Sequence, residues 1–135
     1  MKKIILTMVV IIVIALIIIF VSKFLKGGSE DRWIKDSRGV WIKYGRPPIT
    51  PDYVLTQQAL IKKALDLYNT LKSEGIDFSN GPCLGRIDDD WVVDVAHQPR
   101  QAIDNLAENQ CQAFRSGEAH HFIELTPEGE IIRVY

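Results

Sequence analysis

The sequence predicts an α+β fold, with an N-terminal transmembrane helix followed by a small antiparallel sheet packed on one long helix. Three observations carry this. Residues 4–21 hold no charge and all but one are apolar, which suits a membrane-spanning helix. Residues 60–71 place Leu60, Ile61, Ala64, Leu67, Tyr68 and Leu71 at i, i+3, i+4 spacing, the stripe of an amphipathic helix. Short β-rich runs separated by turn residues fill most of the remaining chain.

The first segment, MKKIILTMVVIIVIALIIIFVS, begins with Lys2 and Lys3 and then runs apolar. Its apolar stretch is longer than a typical cleaved signal, and no small-residue cleavage site follows it. The expectation is an uncleaved signal anchor over residues 1–25, with the lipid bilayer as partner through residues 4–21. A cleaved signal peptide and a buried core helix are the alternatives. By count, Lys23, Lys26, Arg32, Lys35 and Arg38 against Lys2, Lys3 and the amine, the positive-inside rule favours the C-terminal domain inside. The very short N-terminus and the two cysteines favour a C-terminal domain outside the cytoplasm. Residues 26–31, KGGSED, read as a polar linker, and residues 32–135 as one small α+β domain.

Within that domain, Trp33–Lys35 and Val40–Ile42 flank Asp36-Ser37-Arg38-Gly39, a type I turn signature, and so form a hairpin. Its Trp33 and Trp41 are expected on a shared apolar side. After the proline-rich residues 45–51, a helix is expected from about Asp52 to Glu74, with Thr50 as N-cap, Pro51 in the first helical position and Gly75 past its end. Cys83–Ile87 and Trp91–His97 read as strands. From Pro99 to Gly117 a second helical stretch is expected, breaking near Asp104-Asn105. His120–Leu125 and Glu130–Tyr135 flank Thr126-Pro127-Glu128-Gly129 as a C-terminal hairpin. The simplest register pairs Ile123 with Ile132 and His121 with Val134, setting Glu124 diagonal to Arg133. The expected core is Leu60, Ile61, Ala64, Leu67, Leu71, Val93, Val95, Ile123, Ile132 and Val134.

Charge is divided. Residues 23–72 carry 10 Lys/Arg against 5 acids, and residues 73–135 carry 4 against 12. With 16 basic and 17 acidic residues in all and a pI near 6.3, broad nucleic-acid binding is not expected. No GxxxxGK[ST], GxGxxG, GxSxG or HExxH occurs, so no nucleotide, cofactor or common hydrolase motif is present.

Chemistry rests on few residues. In a small extracytoplasmic domain an even cysteine count suggests a disulfide, Cys83 to Cys111; two free buried thiols are the alternative. A thiol nucleophile would need a base in reach, and Cys83 with His97 and Asp94 is the candidate set for a small envelope hydrolase. A metal site from Cys83, His97, Cys111 and His120 or His121 lacks the paired-ligand spacing of zinc centres. Asp88-Asp89-Asp90 lacks the alternation and glycine of a calcium loop, and reads as a solvated turn.

The stretches DRWIKDSRGVWIKYGRPP, NGPCLG, DWVVDVAHQPRQAIDNLAENQCQAF and GEAHHFIEL with EGEIIRVY resemble a family of short, single-span proteins from small-genome bacteria of uncultivated phyla. That family has no assigned activity, so the resemblance implies architecture and no catalytic residue. The expected function is a membrane-anchored extracytoplasmic module, non-enzymatic, that binds a partner or envelope component. The Cys/His hydrolase is the alternative.

Overall fold

The computed structural model describes residues 2–25 and 30–135, without side chains at 2–6 and 23–25. The chain divides into two compact units, residues 1–34 with 43–50, and residues 35–42 with 51–135.

The first unit contains α1 (Lys2–Leu25). Its described side chains, residues 7–22, are exposed, from Met8 through Val21. Among the described residues no helix is long and apolar enough to cross a membrane. The expected transmembrane anchor over residues 1–25 is corrected accordingly, and with it the single-pass membrane location. Residues 26–29 of the expected linker lie outside the described residues. The unit also holds the base of a hairpin formed by β1 (Arg32–Lys35) and β2 (Trp41–Tyr44). There Trp33 donates its indole N–H to the Ile49 carbonyl at 3.0 Å, and the Lys43 ammonium lies over the Trp33 ring.

The second unit begins at the hairpin tip. The turn closes as expected, with Gly39 N–H on the Asp36 carbonyl and Asp36 N–H on the Val40 carbonyl. Gln57, buried on the long helix, clamps the tip: its amide oxygen accepts from Trp41 N–H and its amide nitrogen donates to the Gly39 carbonyl. Trp41 also meets Tyr53, ring centroids 4.8 Å apart.

The long helix, α2, runs Asp52–Ser73. It starts at Asp52 as expected, but the residue in the cap position is Pro51, where Thr50 was expected, and no side chain caps it. Its end is a Schellman motif, with Ile76 N–H on Leu71 O, Gly75 N–H on Lys72 O, and Gly75 at φ +83°. The buried stripe is Val54, Gln57, Leu60, Ala64 and Tyr68. Leu67 and Leu71, expected in the core, are only partly buried, because the stripe follows the i, i+3, i+4 line through Tyr68.

A four-stranded sheet packs on α2, with strands β3 (Cys83–Asp88), β4 (Trp91–Val95), β5 (His121–Leu125) and β6 (Ile131–Val134) in sequence order. It is mixed, which corrects the expected antiparallel sheet: β4 and β5 run parallel, from Trp91 beside His121 to Val95 beside Leu125. Parallel neighbours cannot be joined by a tight turn. Residues 96–120 therefore cross over, carrying a 3-10 turn at Ala102–Asn105 and a short helix, α3, at Gln112–Arg115. The expected second helical stretch is broken in this way. Phe78, Val93, Val95, Ile123, Leu125 and Val134 meet α2 in the main core. The crossover covers the other face, where Val92, Cys111 and Ala119 form a second buried cluster.

The C-terminal hairpin has a different register from the simplest one. Ile123 pairs with Val134 and Glu124 with Arg133, and a bulge follows before Leu125 pairs with Ile131. The extra residue sends Ile131 to the core, while Ile132, expected there, lines the opposite face. The hairpin turn is fixed to α2, since Tyr68 donates its hydroxyl to the Pro127 carbonyl at 2.8 Å.

Leu60→Ala removes a buried side chain from the α2–sheet interface and should destabilise the fold by about 2–5 kcal/mol. Lys62→Ala, on the exposed side of α2, should stay within about 0.5 kcal/mol. Chemical denaturation of the two variants checks this, and equal losses would mean that α2 packs on another face.

Candidate functional site

The crossover and the sheet enclose a cleft of about 560 Å³. Its floor comes from one face of the sheet. Along a strand, alternate side chains share a face, and Val92 and Asp94 of β4 line the cleft with Phe122 and Glu124 of β5. Because β4 and β5 are parallel and in register, Asp94 and Glu124 are direct neighbours. The row extends across all four strands: Cys83 pairs with Asp94, Asp94 with Glu124, and Glu124 with Arg133. The crossover supplies the walls, among them His97, Arg100, Cys111, Phe114 and Arg115.

The walls are held by a polar network centred on Asp104, whose side chain is fully buried. Asp104 accepts hydrogen bonds from the Gln101 and His97 backbone N–H groups and pairs with His97 Nδ1 at 2.7 Å. Burial pushes its carboxyl up, but these hydrogen bonds outweigh that and hold it below the usual carboxylate range. The chain approaches so closely here that Gly81, at φ +66°, has no room for a Cβ, which would lie 2.6 Å from Asp104 Oδ1. Arg100 binds the floor to the wall. It donates to Glu124 at 2.5 Å, to Asn105 at 3.0 Å and to the Asp104 carbonyl. Glu124 is itself buried, with its side chain 8% exposed, while Arg100 reaches it from the surface with its own side chain 43% exposed.

Asp94 is treated differently. Its Oδ1 is buried and has no hydrogen-bond partner. Burial, and after it the charge of neighbouring Glu124, push the Asp94 carboxyl up to about 7, with Arg100 opposing. Two adjacent carboxyls are thus divided in role. Glu124 is paired with Arg100, while Asp94 keeps its proton up to near-neutral pH and can donate or release it.

Cys83 and Cys111 form the expected disulfide, their Cα atoms 4.9 Å apart. It joins the start of β3 to the residue preceding α3 and fixes the crossover over the sheet. The three residues of the hydrolase reading are not brought together as a triad. Cys83 is bonded to Cys111, His97 pairs with Asp104, and Asp94 stands in the cleft with no imidazole partner. His120 meets Asp90 at 2.7 Å on the far side of the β3–β4 turn, and His121 stacks on Trp91. Among the described residues no group of three or more His, Cys, Asp or Glu is placed to hold a metal ion.

Sequence does not single out Arg100 or Phe122, places Glu124 only diagonal to Arg133, and marks Asp104 only as a break in the second helical stretch. Glu124 carried a signal, a carboxylate on a strand otherwise apolar on both faces from Phe122 to Leu125. The site roles of Asp104 and Arg100 carried none, since they arise from where the crossover folds back.

No family model matches the chain, and no curated protein or solved structure matches it.

Two outcomes follow from the network. Asp94 binds its proton more tightly folded than unfolded, so its contribution to stability is full below about pH 4 and is lost as pH rises to about 7. Asp94→Asn should therefore melt higher than the wild type at pH 8 and show no such gain at pH 4, as differential scanning calorimetry at both values would reveal. Asp104→Ala leaves the Gln101 and His97 N–H groups unpaired and should cost about 2–4 kcal/mol in urea unfolding at pH 7.

Proposed function

We propose that the domain is a binding module working in an oxidising compartment, and that its cleft takes a small amphiphilic ligand with an anionic end. One observation carries the reading. The cleft sets an apolar wall of Val92, Phe114, Phe122 and Ile132 beside a cationic edge of Arg115 and Arg133. Arg133 has no ion-pair partner among the described residues, because Glu124, its strand neighbour, is engaged by Arg100. An anion placed at Arg133 would gain a charge-assisted hydrogen bond, and an apolar body would cover the aromatic wall. Protonated Asp94 adds a hydrogen-bond donor to the floor. The disulfide supports the compartment, since such bonds persist where thiols are not kept reduced. Holding the walls rigid before binding lowers the ordering cost that binding would otherwise carry.

Indole-3-acetate, a soluble aromatic carboxylate, is a suitable probe for the full chain. Titration followed by amide NMR should shift Val92, Asp94, Phe122 and Arg133 together. Arg133→Glu should weaken binding about tenfold or more, the scale of losing one charge-assisted contact and adding repulsion. Shifts scattered away from the cleft, or an unchanged affinity in Arg133→Glu, would overturn the reading.

A further inference from the structure

The disulfide and the Asp94 carboxyl, whose Oδ1 has no partner, occupy the same place in the fold. Cys83 and Asp94 are register partners on adjacent antiparallel strands, and Cys83 packs with Val92 and Cys111 on the face where Asp94 stands. Side chains directly opposite on one face have Cβ atoms about 4.5–5.5 Å apart. The two cysteines differ in exposure. Cys83 is partly exposed, whereas Cys111 is 3% exposed and lines the cleft with Asp94.

We propose that Cys83–Cys111 is a thiol–disulfide exchange site reached through Cys83, with Asp94 as the proton donor to the departing Cys111 sulfur. The partner is a dithiol, on a small molecule or a second protein. This does not depend on the cleft taking an amphiphilic ligand.

The chemistry balances without any further reactant. A thiolate of the dithiol attacks Cys83 Sγ, and the Cys83–Cys111 bond breaks. Cys111 leaves with the electron pair as a thiolate in a buried site, where an isolated charge is costly. The Asp94 carboxyl transfers its proton to Cys111 Sγ and becomes a carboxylate, later reprotonated from water. The second thiolate of the dithiol then attacks the partner sulfur bound to Cys83 and expels the Cys83 thiolate, which takes a proton from water. Two electrons pass from the dithiol, which becomes a disulfide, to the protein, which becomes a dithiol.

Several groups face Asp94. Glu124 lies beside it on β5 and raises its proton affinity, as does Asp104 of the crossover, while Arg100 lowers it. His97, Arg115 and Arg133 line the same cleft. From the β3 side the facing group is the disulfide itself. The carboxyl therefore keeps its proton near neutrality, which is the condition for donating it at the moment the thiolate forms.

The test uses the full oxidised chain and dithiothreitol. Reduction is followed by alkylation and mass spectrometry from pH 5 to 9, with rates divided by the concentration of the dithiothreitol thiolate. The wild-type rate constant should be first order in dithiothreitol and should fall as pH rises through about 7. Asp94→Asn should lose that pH dependence and run about tenfold or more slower at pH 6. Two results would overturn the proposal. One is coincident pH profiles for wild type and Asp94→Asn. The other, read on the wild type alone, is a rate independent of dithiothreitol concentration, which means reduction only after unfolding.

Discussion

The parallel pairing of β4 with β5 is the constraint from which the rest of the second unit follows. Antiparallel strands could have been joined by a turn of two to five residues. Parallel ones need the chain to return to the starting end, and residues 96–120 make that return across one face of the sheet. The opposite face was already taken by α2. The crossover thus covers the face that α2 cannot reach, and the gap between it and the strands is the cleft. The same pairing sets Asp94 and Glu124 side by side, since parallel neighbours in register place equivalent positions on one face.

A crossover with only a 3-10 turn and a four-residue helix has little regular backbone bonding of its own. Its position is held by three attachments. Asp104 gathers the Gln101 and His97 N–H groups, Arg100 reaches down to Glu124, and the disulfide ties residue 111 to β3. The Asp104 carboxylate and Glu124 are buried, so their bonds have more effect than those of a fully exposed pair would. The arrangement leaves one polar group unsatisfied, Asp94 Oδ1. A carboxyl with one buried oxygen left unpartnered is a stability cost above neutrality, and its place beside both the cleft and the disulfide connects that cost to what the site can do.

Much of this was legible in local pattern. The i, i+3, i+4 spacing through Leu60, Ala64 and Tyr68 located α2, and Gly75 marked its end because only glycine takes φ +83° there without strain. Asp36 and Gly39 located the first hairpin turn. The even cysteine count pointed to the bond between residues 83 and 111. The apolar run at residues 4–21 was legible as helix, and helix is what α1 forms, but the expectation of a membrane span did not hold among the described residues.

Sequence by itself determined where the helices and strands of the second unit lie, since turn chemistry and side-chain period act over a few residues. Only the tertiary structure decided strand direction, register and partner choice. Period-two alternation is the same in a parallel and an antiparallel pair, so Trp91–Val95 and His121–Leu125 could not reveal that they run together. A single bulge after Glu124 moved Ile132 from core to cleft, a shift that no alternation predicts. The distinct surroundings of Asp94, Glu124 and Asp104 came last of all. Three carboxylates with the same intrinsic chemistry are set apart only by which donors and charges the folded chain brings against each.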